Sequence, residues 1–287
     1  MQKEKSKLGK YRKNKLIFGM SPIGFLTLVA CGGESNKTVK IDTSVSGHVI
    51  KGPLNGALVF LDYDGDAVHD SIEPSVRTDS SGSFTFTNSE ADYEVVALTD
   101  LQTLDTSSGT ILPGLTLKAP REAKVVTPIT TLMKEGDFTN AQIAEVLQIP
   151  VEIDPLSFNP YTHYHNISGV KVEKVGMQIV TVVEALAAAA EGAGASEAEA
   201  FKAALDSVTD IVKSKVSKIG NDTATLTEQR LDLTRADDLL LISKQFSAKT
   251  AVISGFDNTA LASIKIDALS AIKNVNDQID SVIDLNS

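Results

Sequence analysis

The sequence predicts an α+β protein of two domains, a β-sandwich over residues 42–120 followed by an all-α helical bundle over residues 125–287. Three observations predict this class. Apolar and polar residues alternate in the first region, which is typical of half-buried strands. Turn signals separate these short strands, which favours a sandwich. In the second region apolar residues recur every three or four positions, which is typical of amphipathic helices.

The composition indicates a globular chain and restricts its partners. The 287 residues are 42% hydrophobic and 22% charged, which is typical of folded domains rather than disordered segments. The net charge of −10 is unevenly spread, because residues 1–15 carry seven Lys or Arg and one Glu, which leaves −16 on the rest of the chain. A region this acidic repels phosphate backbones, so we expect no nucleic-acid partner.

Residues 1–30 have the layout of a bacterial export signal, in which a basic segment precedes fifteen uncharged and mostly apolar residues. This apolar run is short for a membrane-spanning helix, which needs about 20 residues. The single cysteine of the chain, Cys31, follows the run directly. An uncleaved signal anchor, or a cytoplasmic start with a chance cysteine, is the alternative interpretation.

Leu28-Val29-Ala30-Cys31 resembles the lipobox of bacterial lipoproteins. The resemblance implies cleavage before Cys31 and acyl chains on that residue, so that the membrane is a partner through the lipid anchor. Gly32 stands where an inner-membrane retention signal would place Asp, so the resemblance implies a lipoprotein of the outer membrane, facing the periplasm or the surface. Residues 31–41 are predicted to be a flexible tether.

The β region is predicted to contain five short strands. Val45, Gly47 and Val49 share one face of the first, and Phe84 and Phe86 share one face of another. The predicted strands lie in VSGHVIKG, GALVFLD, GSFTFT, DYEVVALTD and ILPGLTLKA. The turn signals between them are Gly52-Pro53, Asn55-Gly56, Ser81-Gly82 and Ser108-Gly109.

An acidic loop, LDYDGDAVHDSIEPS at residues 61–75, follows the second of these strands. Counted from Asp62, its oxygen ligands fall at positions 1, 3, 5, 7, 9 and 12, which is the spacing of an EF-hand calcium loop. The candidate calcium ligands are Asp62, Asp64, Asp66, Val68 through its carbonyl, Asp70 and Glu73. Strands rather than helices flank the loop, and Ala67 stands in place of the usual turn glycine. A solvated run of charge is the alternative interpretation.

The segment from Ser46 to Thr87 resembles the carboxypeptidase-regulatory-like and Cna-B-type modules, which are small transthyretin-like sandwiches. It is most similar to the calcium-binding B-repeats of Gram-positive serine–aspartate-repeat surface proteins. The shared features are an opening G-x-V, the strand GALVFLD, an acidic loop ending in E-P, and T-D-x-x-G-x-F-x-F. The resemblance implies a sandwich whose loop is held by structural calcium.

The helical region is predicted from capping signals and periodicity. A proline follows Thr127 at a first helical position. Capping boxes are predicted at Thr139, Ser196 and Thr225, and a weaker one at Thr234. A long buried helix is predicted from about Val170, an amphipathic helix ending at Gly220, and a last helix from about Asn258. The last carries an apolar stripe that requires a packing partner, either the bundle core or another chain: Leu261, Ile264, Ala268, Ile272, Val275, Ile279 and Val282.

The segments VVTPITTLM, LQIP, DPLSFNP and KVEKVGMQIV resemble a helical segment that follows this β module in large uncharacterised surface proteins of Gram-negative bacteria. The resemblance implies an architecture and no activity. The cluster YTHYH holds His163 and His165, which are spaced to share a metal on an extended segment but lack an obvious third ligand. An ordinary loop between helices is the favoured interpretation there.

Catalytic motifs are missing from the sequence, which contains no H-E-x-x-H, G-x-S-x-G, G-x-G-x-x-G or Walker A pattern. We therefore expect a non-enzymatic envelope protein, a binding, adhesion or scaffolding module with a protein or glycan partner. The alternative is a periplasmic lipoprotein that binds or senses a small molecule in a pocket between the two regions. An unrecognised hydrolase is the third hypothesis, and it requires a water-excluded pair of carboxylates or a His–Ser contact.

Overall fold

The structure is a computed structural model that describes residues 44–87, 92–162 and 167–285. It confirms the α+β class, with short strands up to Val126 and seven described α-helices after them. All the described residues belong to one compact unit, and the division into two separate domains stays a prediction. The predicted signal peptide, the tether, Cys31, His163 and His165 lie outside the described residues.

Ten strands are described in the β region, and they form three sheets. The first sheet has the order β10-β1-β5, the second β4-β3-β6-β9, and the small third sheet β2-β7-β8. Only the β1–β10 pair is parallel among the described pairs. The strands are β1 Val45–Val49, β2 Leu54–Asn55, β3 Leu58–Asp62, β4 Ser75–Arg77, β5 Ser83–Phe86, β6 Glu94–Leu98, β7 Leu104–Asp105, β8 Thr110–Ile111, β9 Thr116–Ala119 and β10 Val125–Val126.

The first and second sheets contribute their apolar faces to one hydrophobic cluster. The alternation predicted for β1 and β5 is confirmed, because Gly47 and Val49 are buried on β1, and Phe84 and Phe86 are buried on β5. The cluster also contains alternate residues of the second sheet and Val180 from the helical region. The β region therefore has its own core, against which Val180 and Phe201 of the helical region pack.

Seven helices follow the strands, and most begin as the sequence predicts. Capping boxes are present at four N-caps, Thr127, Thr139, Ser196 and Thr225. In each box the side chain of the N-cap residue accepts from the backbone N–H three residues later, and the side chain of that later residue accepts from the N-cap N–H. The helices are α1 Pro128–Gly136, α2 Asn140–Leu147, α3 Ile167–Gly192, α4 Glu197–Val216, α5 Leu226–Gln229, α6 Ala236–Thr250 and α7 Asn258–Ser281, with a short 3₁₀ helix at Pro160–Thr162.

Two helix boundaries differ from the prediction. The capping box at Thr234 is wrong, because α6 begins at Ala236 after Arg235 without a side-chain cap; the Thr234 hydroxyl instead donates to Asp232 Oδ1 over 2.6 Å. Helix α4 ends at Val216 rather than Gly220, because the N–H groups of Lys218 and Ile219 bond three residues back, as in the tighter turns that commonly end a helix.

Helix α3 is the centre of the helical region and contacts α4, α7 and α1. Its length and mean hydropathy of 1.3 match those of a membrane span, but 56% of its most apolar window is buried inside the protein, as expected for a core helix. The predicted stripe on α7 is only partly covered. Leu261, Ile272 and Ile279 are buried there, whereas Ile264 and Val275 are 37% and 42% exposed.

The β and helical regions are joined through the backbone as well as through side chains. Residues 125 and 126, which the sequence analysis assigns to the helical region, form β10 and pair with β1. On the second sheet, Thr130 Oγ1 donates to the Lys118 carbonyl over 2.8 Å, and Lys118 N–H donates to Thr131 Oγ1 over 2.9 Å. Helix α1 is therefore hydrogen-bonded to the edge strand β9.

Candidate functional site

The acidic loop connects β3 to its antiparallel neighbour β4. Asp62 is the last residue of β3 and is 1% exposed. Its Oδ1 accepts hydrogen bonds from the N–H groups of Asp64 and Gly65 at 3.3 and 2.7 Å, and its Oδ2 accepts one from Ala67 at 2.9 Å. The backbone therefore curls around the Asp62 carboxylate.

Two residues of this curl have left-handed backbone conformations, Gly65 with φ 81° and Ala67 with φ 61°. Glycine adopts such angles without strain, whereas a residue with a Cβ pays roughly 1–2 kcal/mol. Ala67 occupies the place where the EF-hand pattern has glycine, so the structure retains the turn despite the substitution. This strain is offset by the hydrogen bond of Ala67 to Asp62.

Three of the predicted ligands lie together. Carboxylate oxygens of Asp62, Asp64 and Asp66 are within 4.8 Å of one another. The Asp66 N–H lowers the pKa of Asp64, but desolvation and repulsion by Asp66, Asp62 and Asp70 outweigh it, so the pKa is raised. Within the described residues, no Lys, Arg or His nitrogen lies within 4.0 Å of these three carboxylates.

The other predicted ligands have a different arrangement. Glu73 is 6% exposed and accepts from Tyr63 N–H at 2.8 Å and from Asp70 N–H at 2.9 Å. Its carboxylate thereby ties the two ends of the loop together. Asp70 is exposed, and Val68 donates its N–H to Asp66 Oδ1 at 2.7 Å. Asp70 and Glu73 are not part of the 4.8 Å group.

His69 stands where an EF-hand places an apolar residue, and the structure gives it an apolar role. Its ring lies 5.3 Å from the ring of Phe60, and its Nε2 is 3.2 Å from the Glu73 carbonyl oxygen. Phe60 on β3 is fully buried. His69 therefore packs the acidic loop onto the outer side of the second sheet.

A second polar cluster was missed by the sequence analysis. We call it the polar junction, and it consists of Lys51, Gly52, Asp105, Tyr161 and Glu173. Glu173 on α3 is 4% exposed, and its Oε1 accepts from Gly52 N–H at 2.6 Å and from Tyr161 Oη–H at 3.2 Å. The junction thus joins a β turn, the 3₁₀ helix and the central helix.

The β side of the polar junction is tightly built around Asp105, which is 2% exposed. Its Oδ2 lies 3.4 Å from Lys51 Nζ, and its Oδ1 accepts from Ser107 N–H and Oγ–H at 2.9 and 2.6 Å. Gly52 has φ 66°, and a Cβ there would come 2.1 Å from Asp105 Oδ1. Only glycine fits this approach of the turn to the buried carboxylate.

Burial dominates the electrostatics of the junction. Desolvation raises the pKa of Glu173 to about 7, against the lowering effect of the Gly52 N–H, the Tyr161 hydroxyl and the Lys51 charge, while Asp105 adds repulsion. Burial and the Glu173 charge raise the pKa of Tyr161. Burial also raises the pKa of Glu184 on the same helix, opposed by Lys51.

The signal that could have identified Glu173 is its place in the helical period. Glu173 is an acidic residue within a largely apolar segment of the sequence. However, Glu173 lies seven residues before Val180, on the helix face that Val180 brings into the β core. A lone acid on a face that packs against a sheet has to be buried.

Two hollows are open to solvent, one at the boundary between the regions and one within the helical region. One of about 510 Å³ lies beside β1 and β10 and is lined by polar groups, among them His48, Lys124, Glu152, Asp154 and Asn159. Another of about 690 Å³ lies between α2 and α3, where Arg230 Nη2 pairs with Glu145 Oε1 at 3.0 Å. Both are open enough to admit small polar molecules.

Comparison with known proteins leaves the chain to be interpreted from its own residues. No family model, no curated protein and no solved structure matches it. The lipoprotein and B-repeat resemblances therefore stay predictions. What the structure itself provides is a group of three carboxylates at a strand end, of which Asp64 and Asp66 are exposed, and a buried carboxyl group between the β and helical regions.

Proposed function

We propose that the chain is a lipid-anchored protein of the bacterial cell envelope that acts as a binding, adhesion or scaffolding module, with structural calcium in its acidic loop. The observation that carries the calcium proposal is the group of Asp62, Asp64 and Asp66, whose oxygens crowd within 4.8 Å. Calcium prefers six to eight oxygen ligands. A divalent cation removes the repulsion that these carboxylates otherwise exert on one another.

The donor set of the loop fits a hard cation. Each carboxylate oxygen accepts up to two hydrogen bonds or metal contacts, so the backbone bonds of Asp62 leave room for a ligand. Asp64 and Asp66 are exposed and supply charge. We propose that the Val68 carbonyl, Asp70, Glu73 or water completes the ligand shell. The metal would supply stability to the long β3–β4 connection rather than chemistry.

The binding role is supported by what the loop exposes. Val68 and Ile72 are 58% and 77% exposed, and both belong to the segment that the cation would order. Exposed apolar side chains on a rigid loop are a favourable contact surface, because little conformational entropy is lost on binding. The cluster shared by the first and second sheets supports a β-sandwich as the scaffold of this surface.

Thermal unfolding of the full chain, in EDTA and then in millimolar calcium, tests the metal proposal. The informative variant is Asp64→Asn/Asp66→Asn, which removes two exposed charges and keeps an oxygen acceptor at each position. The matched control is Asp222→Asn/Asp267→Asn, which removes two exposed charges from the helical region. Calcium at about 100 times its dissociation constant should stabilise the wild type and the control by about 2.7 kcal/mol.

An equal calcium shift in the wild type and in Asp64→Asn/Asp66→Asn would place the ion elsewhere and refute the loop site. The lipid anchor is tested separately, by labelling with radioactive palmitate in a Gram-negative host. The wild type should incorporate label and sediment with membranes, whereas Cys31→Ser should do neither. Label in the Cys31→Ser protein would refute the assigned lipid position.

A second candidate function is small-molecule binding or sensing in the periplasm. The observation that favours it is the 510 Å³ hollow beside β1 and β10, whose polar lining includes both cationic and anionic side chains. A panel of small zwitterions and organic acids in a thermal-shift assay tests this function. A stabilising compound should lose its effect in Lys124→Ala, and retention of the effect there would exclude this hollow.

A further inference from the structure

The contact of Glu173 with the β turn is the only described hydrogen bond from the α3 side chains to the backbone of residues 45–62. It spans 121 positions of sequence and is buried. The donor, Gly52 N–H, lies in a turn that requires glycine, because a Cβ at this position would come 2.1 Å from Asp105 Oδ1. The Glu173 carboxyl group is thus the acceptor through which this turn is hydrogen-bonded to the helix.

Few charged groups act on Glu173 in the part of the chain that the structure describes. They are Lys51 and Asp105 on the β side, while the neutral Tyr161 hydroxyl on the 3₁₀ helix acts on Glu173 through its hydrogen bond. Lys51 Nζ already lies 3.4 Å from Asp105 Oδ2, and no Lys, Arg or His nitrogen of the described residues lies within 4.0 Å of Glu173. A negative charge on Glu173 is thus poorly compensated.

We propose that the Glu173 contact is a proton-dependent latch between the β turn at Gly52 and helix α3, closed while the carboxyl group is neutral and weakened when it ionises. A neutral carboxyl oxygen accepts the Gly52 and Tyr161 hydrogen bonds without the cost of burying a charge. Ionisation brings an uncompensated charge into a dry contact, which favours entry of water and separation of the turn from the helix.

The pH range in which the latch responds follows from the direction in which the pKa of Glu173 is shifted. The pKa of Glu173 is raised from 4.5 to about 7 in the folded protein. A raised pKa means that the folded state binds the proton more tightly than the unfolded state, so the stabilisation is complete below pH 4.5 and is lost as pH rises through about 7. The latch would therefore respond to pH changes around neutrality, which an envelope protein meets directly.

The test compares the thermal unfolding of the full chain and of Glu173→Gln between about pH 5 and about pH 8. Glutamine keeps the oxygen acceptor and cannot ionise. We expect the wild type to lose stability relative to Glu173→Gln as pH rises, by on the order of 100-fold in the unfolding equilibrium constant. Glu191→Gln, at an exposed site on the same helix, should follow the wild type. Parallel curves for the wild type and Glu173→Gln would overturn the proposal.

A measurement on the wild type keeps the proposal testable if Glu173→Gln does not fold. Hydrogen exchange of the Gly52 amide should accelerate with rising pH more than exchange of the Ile50 amide, which donates to the Val126 carbonyl at 2.9 Å. The ratio of the two rates removes the intrinsic pH dependence of exchange. A constant ratio from about pH 5 to about pH 8 would mean that the contact does not open.

Discussion

Asp62 in the acidic loop and Glu173 in the polar junction are both buried, and their carboxyl groups are stabilised differently. Asp62 is 1% exposed and accepts three backbone hydrogen bonds, with two exposed carboxylates beside it. Glu173 is 4% exposed and accepts one backbone bond and one phenol bond, with no cation at salt-bridge distance in the described residues. The first arrangement surrounds a carboxylate with backbone donors beside two exposed carboxylates, whereas in the second burial raises the pKa of the carboxyl group.

Burial alone therefore does not determine what a carboxyl group does. The number of backbone donors and the neighbouring charges determine it as well, because a hydrogen bond to the charged form of the carboxyl group offsets part of the cost of removing it from water. The loop has many N–H groups free to point inward, since it is not part of a sheet. Glu173 at the junction has few such N–H donors around it, because the N–H groups of strands and helices are already hydrogen-bonded within those elements.

The largest expected effect is that of Gly52→Ala, which breaks the junction without changing its charges. The new Cβ would come 2.1 Å from Asp105 Oδ1 at a φ of 66°, so the variant should lose about 3 kcal/mol or more of unfolding free energy. Chemical denaturation measures this loss. Gly109→Ala is the control, because its φ is 71° and nothing lies within 4 Å; it should lose only about 1 kcal/mol. Equal losses would mean that backbone strain, not the approach to Asp105, explains Gly52.

An intermediate effect is expected for Asp62→Ala in EDTA, which removes the acceptor at the centre of the loop. Three N–H groups lose their partner, and the variant should lose about 2 kcal/mol. Asp64→Ala removes a carboxylate that accepts one long bond of 3.3 Å, so it should change the unfolding free energy by less than about 0.5 kcal/mol. If both variants lost the same amount, Asp62 would not be the organising residue of the loop.

The smallest expected effect is a gain from Ala67→Gly. Glycine adopts the left-handed φ of 61° without strain, although it also increases the conformational entropy of the unfolded chain. The variant should gain about 0.5 kcal/mol in the free energy of unfolding. Ala262→Gly, in an exposed position of α7, should change the stability in the opposite direction by about 1 kcal/mol. A loss at Ala67 would show that its backbone is not strained.

Local signals in the sequence predicted much of the fold. The strands around Val49, Phe84 and Phe86 follow from a period of two, and four helix starts follow from capping residues such as Thr139 and Ser196. These features depend on neighbours within about four positions, so the sequence contains them completely. The capping box at Thr234 failed because the helix begins one residue later, after Arg235, while the Thr234 hydroxyl donates to Asp232; the pattern of residues 234–237 does not include Asp232.

The two candidate sites differ in the same way, because one is formed by residues close together in the sequence and the other by residues far apart. Asp62, Asp64 and Asp66 lie within five positions of chain, so their spacing alone predicted that they would meet. Glu173 and Gly52 are 121 positions apart, and no local pattern specifies that contact. The parallel β1–β10 pair is also remote in sequence, because it joins His48 to Val125.

The sequence by itself therefore determined the α+β class, four of the helix starts and the acidic loop, because these follow from interactions between near neighbours along the chain. Only the tertiary structure decided that β10 completes the first sheet, that α3 packs against the β core through Val180, and that Glu173 is buried at the junction. Such contacts depend on how apolar faces pack, and the packing of one face is set by surfaces from distant parts of the chain.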